Sequence, residues 1–241
     1  EGARLAFSTD SFVIDPLFFP GGDIGSLAVH GTVNDLAVAG AVPKYLTLNA
    51  FIEEGLEVAL LERIVASLAR AAKECEVSVV AGDTKVVRRG EGGGLYFATT
   101  GVGVRDRASR LGLDQIKNGD RILVSGPVGD HGIAVMLARE AFGLRGDIQS
   151  DAASVLRLTT TAHAFAGLRF MRDPTRGGIA TTLKEIAIQS EVEITLQETS
   201  LPVDPTVAGA CAILGLDPLF VANEGNGRVP VEKVVQVWEG R

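Results

Sequence analysis

Cysteine and histidine are scarce in these 241 residues: Cys75 and Cys211 are the only two of the first, and His30, His131 and His163 the only three of the second. Neither cysteine belongs to a CxxC pair, and two thiols cannot complete a four-ligand zinc site. A single disulfide is feasible but nothing demands it, so a reducing cytoplasm is the expected location. No HExxH, GxSxG, GxxxxGK[ST] or complete GxGxxG string occurs, which leaves zinc hydrolysis, nucleophile-elbow chemistry and the P-loop cradle without footing. Aromatics make up 5% of the chain against 29 glycines, a balance that favours close-packed layers with tight turns over a large aromatic pocket. Positive charge is short as well, and a net charge of -7 weighs against a broad nucleic-acid footprint. No basic segment followed by an apolar one opens the chain, and the most apolar tract, 206–221, is interrupted by Asp217 and Pro218. Neither a signal peptide nor a membrane span is expected.

What is present is a succession of mixed elements. LAFSTDSFVID alternates as a strand, residues 26–41 read as a helix of small apolar residues ended by Pro43, and LTLNAFIEE reads as a strand. EVALLERIVASLARAAKE places Leu61, Ile64, Val65, Leu68 and Ala72 at helical spacing. VSVVAG reads as a buried strand, GDTKVV as a loop, RRGEGGG as a glycine-rich turn and LYFATTGVGV as a strand, closing a first domain over residues 1–105. The polar stretch RDRASRLGLDQIKNGD leads into a second domain, 106–241. There RILVSG reads as a strand, GPVGDHG as a turn, IAVMLAREAFG as a helix, residues 155–166 as a helical segment, and FMRDPTRGGIATTLKEIAIQSE as turn then helix. VEITL reads as a strand, and AGACAILGLDPLFVANEG as helix, turn, strand and polar tip. Both halves mix strands and helices without a long βαβ repeat, which favours an α+β fold over a doubly wound sheet.

Three carboxylates interrupt apolar sequence, each beside a hydroxyl or an amide: Asp10 after Thr9, Asp35 after Asn34, and Asp83 before Thr84. An uncompensated buried carboxylate costs several kcal/mol, so such residues mark either solvent-facing caps or a cation site. Mg²⁺ takes oxygen ligands, commonly one or two carboxylates plus substrate phosphates. Gathered by the fold, the three make a metal-phosphate site; left apart, they are turn or cap aspartates. Lys85, two residues beyond Asp83, suits either a phosphate-neutralising ammonium or an ordinary surface lysine. Glu224 in VANEG suits either a general base at the end of a strand or an exposed turn glutamate. In GPVGDHG, Gly126, Gly129 and Gly132 offer either backbone N–H groups to an anion or a tight turn. In DPTRGG, Asp173 can accept from turn amides and Arg176 can fork to phosphate, or the two simply start a helix.

TDSFVIDPLFFPGGDIGSLAVHGTVNDLAVAGA, AGDTKVV, SGPVGDHGIAVMLARE, RDPTRGGIATTLKEIA and GLDPLFVANEG, in this order and across nearly the whole chain, resemble the HypE family of hydrogenase maturation factors. That family belongs to a superfamily with aminoimidazole ribonucleotide synthetase, selenide water dikinase and thiamine monophosphate kinase. The resemblance implies two α+β domains and a homodimer whose amino-terminal sheets pair into a central barrel, with ATP near the interface. It implies Asp10, Asp35 and Asp83 as Mg²⁺ ligands, and Thr9, Asn34, Gly82, Thr84, Asp173 and Arg176 as nucleotide-binding groups. Lys85 is then expected to stabilise charge in phosphoryl transfer and Glu224 to act as base. The implied reaction is ATP-dependent dehydration of a carbamoyl group, carried on a cysteine and placed there by HypF, to a thiocyanate whose cyanide passes to HypC and HypD. Family members also carry a further amino-terminal glycine-rich segment and end in Pro-Arg-Ile-Cys. Neither string occurs here, where the last residues are VVQVWEGR, and neither Cys75 nor Cys211 sits where a mobile arm delivers it, so dehydration of the chain's own thiol is not expected.

Overall fold

Alternation along the opening residues becomes β1 (Arg4–Phe12), the first strand of a computed structural model that describes residues 4–107, 109–139 and 146–225, with the backbone of Val235–Gln236. A two-residue ladder of β2 (Phe18–Phe19) and β3 (Gly22–Asp23) follows and leads into α1 (Ile24–Val38). Asp23 caps that helix: its Oδ1 accepts from the N–H groups of Gly25 at 2.7 Å and Ser26 at 3.1 Å, while Ser26 Oγ accepts from the Asp23 N–H at 3.1 Å. Next come β4 (Ala41–Glu53), α2 (Val58–Glu74), β5 (Ser78–Val87) and β6 (Leu95–Arg105). The four long strands form one sheet in the order β1-β6-β4-β5, antiparallel except for β4 and β5. That one parallel pair requires a crossover, which α2 supplies.

The two helices pack on one face of the sheet for different reasons. α2 is amphipathic and turns Ile64, Leu68, Ala71 and Ala72 inward, while Val65 stays 50% exposed on its outer side. α1 is apolar on nearly every side and buried on nearly every side, because it is covered by the sheet, by α2 and by the second half of the chain. Small residues make that possible. A Cβ added at Gly25 would run into the Ile64 carbonyl oxygen of α2, and one added at Gly31 would lie 2.9 Å from Cε1 of Phe12 on β1.

The chain after β6 is less regular. It holds β7 (Leu123–Val124), α3 (Asp130–Ala138), α4 (Leu156–Ala162), α5 (Gly178–Ser190), α6 (Pro205–Leu214) and β8 (Val235–Gln236), with β7 and β8 antiparallel. Ile133 and Ala134 of α3 pack with Val207, Ala210 and Cys211 of α6 and with Val221 in a second small core. This half is fastened to the first through named polar contacts. Ser150 donates its N–H to the Pro20 carbonyl at 2.8 Å, its hydroxyl lies 2.8 Å from His131 Nδ1, and the His131 ring meets Phe19 edge-on at 5.6 Å. Burial pushes the His131 imidazole down to about 4, so this contact is made by the neutral ring.

Five local expectations are corrected. α1 ends at Val38, followed by Gly40 at φ +78°; Pro43 lies inside β4, beside a register shift where a missing N–H is tolerated. GDTKVV is not a loop but the second half of β5. VSVVAG is not buried: β5 is an edge strand whose residues are exposed from Ser78 to Val86. VEITL and LFVAN form no strand; 192–196 is irregular and Pro218–Phe220 is a 3-10 turn, since neither segment has a neighbouring strand to pair with among the described residues. The described part of the helix expected in IAVMLAREAFG ends at Ala138, and residues 140–143 of that string, like most of VVQVWEGR, lie outside the described residues.

The closeness of α1 and α2 yields a direct expectation. Gly25→Ala forces the helices apart and should destabilise the fold by about 1–3 kcal/mol in urea unfolding. An unchanged midpoint would mean that the two helices part without cost.

Candidate active site

β1 and α1 each carry one of the expected carboxylates toward the same place. Asp10 stands on the helix-covered face of β1 opposite Thr99, and a Cβ on Gly31 of α1 would lie 3.9 Å from Asp10 Oδ2. Asp35, one turn further along α1, accepts a hydrogen bond at Oδ2 from the Ser8 hydroxyl. Ser8 and Asp10 are two residues apart on one strand, so they share a face. From the second half, Asp173 reaches hydrogen-bonding contact with the Asp35 carboxyl, and Thr175 Oγ1 donates to Asp173 Oδ2 at 3.0 Å. Glu224 completes the cluster, its backbone N–H donating to Asp151 at 3.1 Å.

The electrostatics of this cluster are those of carboxylates crowded out of water. Burial, followed by the like charges of Asp173 and Asp10, pushes the Asp35 carboxyl up to about 6 against the opposing Ser8 hydrogen bond. Burial pushes Glu224 well above the usual carboxylate range, reinforced by Asp151, Asp173, Asp10 and Asp35 in that order. A cationic contact to the cluster is loose: Arg176 Nη2 lies 3.9 Å from Asp10 Oδ1 on a side chain that is 92% exposed. Hard oxygen donors with shared negative charge are the donor set that suits a divalent cation.

Other expected residues lie elsewhere. Asp83 belongs to β5, at the opposite edge of the sheet from Asp10. The row that runs from Asp10 through Thr99 and Leu48 ends at Gly82, three strand spacings or about 14 Å away. Within one chain, then, Asp10 and Asp35 come together and Asp83 does not join them, and the described residues contain no group of three His, Cys, Asp or Glu placed to hold a metal ion. Lys85 Nζ lies 3.7 Å from Asp83 Oδ2, as two-residue spacing on an extended chain requires, and both side chains are mostly exposed. Thr84 donates its N–H to Asp83 Oδ1 at 2.9 Å. Gly82, Asp83 and Thr84 line an open hollow of about 630 Å³ with Leu48, Ala50, Val79, Val80 and Ala81. Thr9 Oγ1 donates to the Thr99 carbonyl at 3.1 Å.

Two expected groups have their hydrogen-bonding capacity committed within the protein. The Asn34 amide is 1% exposed and is bonded entirely to backbone groups of the second half. In GPVGDHG, Gly129 N–H donates to Asn223 Oδ1 at 2.7 Å and Gly132 N–H to the Ala222 carbonyl at 3.1 Å, so this turn props the segment before Glu224 rather than cradling an anion. Ser8 and Asp151 went unanticipated. Asp151 carried the same signal as Asp35, an acidic residue among small ones in SDAAS, and Ser8 stood at i−2 from Asp10.

Residues 1–105 match the AIR synthase related protein N-terminal domain and residues 117–236 the corresponding C-terminal domain. The chain is 53% identical over 239 residues to carbamoyl dehydratase HypE of Azotobacter vinelandii, covering 98% of this chain and 70% of that protein. It belongs to the HypE family. Its fold superposes on a crystal structure of HypE in complex with ATP with a TM-score of 0.89 at 48% identity, covering 93% of this chain and 68% of that one. It superposes on HypE in a HypE–HypF complex with a TM-score of 0.87 at 47% identity, covering 91% and 72%. This HypE-family chain spans 64% to 70% of the length of the relatives from A. vinelandii, Rhizobium leguminosarum and Cupriavidus necator. No described helix is long and apolar enough to cross a membrane.

The raised Asp35 carboxyl fixes the sign of a stability change. Its folded value of about 6 exceeds the unfolded 3.8, so between them the folded state holds more protons and stability falls as pH rises. Asp35→Asn in Mg²⁺-free buffer should therefore melt higher than the parent at neutral pH, with the difference vanishing by about pH 4. A lower melting temperature at neutral pH would show that the charged form of Asp35 is compensated in the apo-protein.

Proposed function

We propose that this chain catalyses the ATP-dependent dehydration of a carbamoyl group borne on a cysteine sulfur, giving a thiocyanate for hydrogenase maturation. The observation that carries this reading is the meeting, across the two halves, of Asp10 and Asp35 with a desolvated Glu224. The relatives named carbamoyl dehydratase and the family member crystallised with ATP support the same chemistry. A carbamoyl oxygen is a poor leaving group. Its attack on the γ-phosphorus of ATP expels ADP and leaves that oxygen phosphorylated. Loss of both protons from nitrogen, one as the oxygen is phosphorylated and one with cleavage of the carbon–oxygen bond, then releases phosphate and forms the carbon–nitrogen triple bond. Glu224, held in a site that raises its proton affinity, takes one of the two nitrogen protons, and the other leaves with the phosphate or to solvent.

Asp10 and Asp35 would hold Mg²⁺, which supplies charge neutralisation at the phosphates. Asp173 and Arg176 border the same space, and Thr9, Gly82 and Thr84 are assigned to the nucleotide. Asp83 and Lys85 require a second copy. β5 is uncovered on both faces, and the sheet face away from the helices exposes Leu5, Phe7, Val42 and Tyr45 at 52% or more. Apolar area of this kind, together with an open strand edge, suits pairing of two sheets into a barrel. With β5 of one copy along β1 of the other, Asp83 and Lys85 of the partner subunit stand beside Asp10. The HypE–HypF complex supports HypF as a partner, and the family resemblance is the ground for assigning it as the carbamoyl donor and a HypC–HypD assembly as the cyanide acceptor.

The decisive experiment incubates the purified chain with Mg-ATP and a peptide ending in carbamoylated cysteine, and measures thiocyanate and phosphate together. Stoichiometric appearance of both is expected. ADP formed only with a free small molecule would replace this reading with an ATP-dependent phosphoryl-transfer enzyme of the same superfamily, and ATP binding without turnover would leave a scaffold. Glu224→Gln should retain ATP binding and lose thiocyanate formation by at least about 10²-fold; an unchanged rate removes Glu224 from the mechanism. Mixing Asp35→Asn with Asp83→Asn should restore part of the activity that each lacks alone, since one of the two sites in a mixed dimer is then intact. No recovery, with mixed dimers demonstrated, would place both carboxylates in one chain's site.

A further inference from the structure

We propose that Asn34 is a positioning residue: its side-chain amide clamps the segment 150–155 and the Glu224 backbone onto α1, and so fixes Glu224 relative to Asp35. The inference rests on the role given to Glu224 above and deepens it. Nδ2 donates to the Ala153 carbonyl at 2.9 Å and to the Glu224 carbonyl at 3.2 Å, while Oδ1 accepts from the Val155 N–H at 2.9 Å. One amide thus joins three backbone groups from two separate stretches of the second half. Its orientation is forced, because a flipped amide would set oxygen against two carbonyls and nitrogen against an N–H.

The surroundings are built to serve this clamp. Gly225 takes φ +102°, and a Cβ there would lie 2.7 Å from Asn34 Nδ2, so the chain passes the amide only with glycine next to Glu224. The far side of Glu224 is held by the same segment, whose Asp151 accepts the Glu224 N–H at 3.1 Å. The segment is anchored in turn: Ser150 N–H donates to the Pro20 carbonyl at 2.8 Å, and Ala152 N–H donates to Ser150 Oγ at 3.0 Å. Asn34 precedes Asp35 on a buried helix, so any shift of the clamp changes the spacing of a phosphate-side carboxylate and the base. Displacements of about 1 Å at reacting groups cost on the order of 10²-fold in rate.

The test compares Asn34→Ala with the parent in two measurements. In hydrogen exchange, the Val155 amide should lose at least about 10-fold of its protection while amides in β4 and β6 keep theirs. In turnover with Mg-ATP and the carbamoylated peptide, kcat should fall by about 10²-fold with the KM for ATP within about threefold of the parent, since the Asn34 amide is committed to backbone groups. Gly225→Ala, which leaves Asn34 in place and pushes the chain off it, should reproduce both changes and replaces Asn34→Ala if that variant does not fold. Unchanged Val155 protection overturns the clamp. Loss of protection with an unchanged kcat overturns its positioning role, and a rise in KM alone makes Asn34 a nucleotide contact instead. A parent chain that forms no thiocyanate refutes the proposed function, with the exchange measurement still deciding the clamp.

Discussion

The structure turns on the burial of α1. A helix enclosed by a sheet, a second helix and the other half of the chain has no solvent-facing side on which to place polar groups at no cost, and this one nevertheless carries Asn34 and Asp35. Each is compensated differently. Asn34 commits both amide N–H groups and its side-chain oxygen to backbone partners, and a satisfied buried amide gives specificity of docking. Asp35 receives a single hydroxyl and meets other carboxyls, so its ionised form is held at a disadvantage.

This arrangement divides labour along one helix. Residues that let the helix sink into the molecule are small, as Gly25 and Gly31 are at their contacts with Ile64 and Phe12. The residues that tie the halves together follow on the same helix, and the acidic one stands beside them. Packing and docking are therefore mechanically linked, and the Asp35 carboxyl inherits its placement from a helix buried against the sheet, α2 and the second half.

Local features of this design were legible in the sequence. The spacing of Ile64, Leu68 and Ala72 gave α2, and alternation gave β1, because both signals reside in consecutive residues. The carboxylates of Asp10 and Asp35 stood out as acid within apolar strings, and the family resemblance carried over Glu224. Layer assignment was not legible: VSVVAG is apolar enough for a buried strand, yet an apolar run does not say which surface covers it, and within one chain none does. VEITL and LFVAN have strand-like composition without a neighbour to bond among the described residues. The role of Asn34 was hidden for a related reason, since its partners Ala153, Val155 and Glu224 are ordinary residues whose backbone, not side chain, makes the contact.

The pairing of β1 with β6 has a temporal consequence. Arg4 aligns with Arg105 and Phe12 with Phe97, so β1 has no partner until β6, the last strand of its sheet in chain order, has been made. Such long-range closure is the slow, entropically costly part of assembling a sheet. β4, α2 and β5 can associate while β1 waits as a loose leader, and Asp10 reaches its station only when that leader is finally zipped into place. The approach of Asp10 to α1 is thus among the last contacts of this sheet to be made.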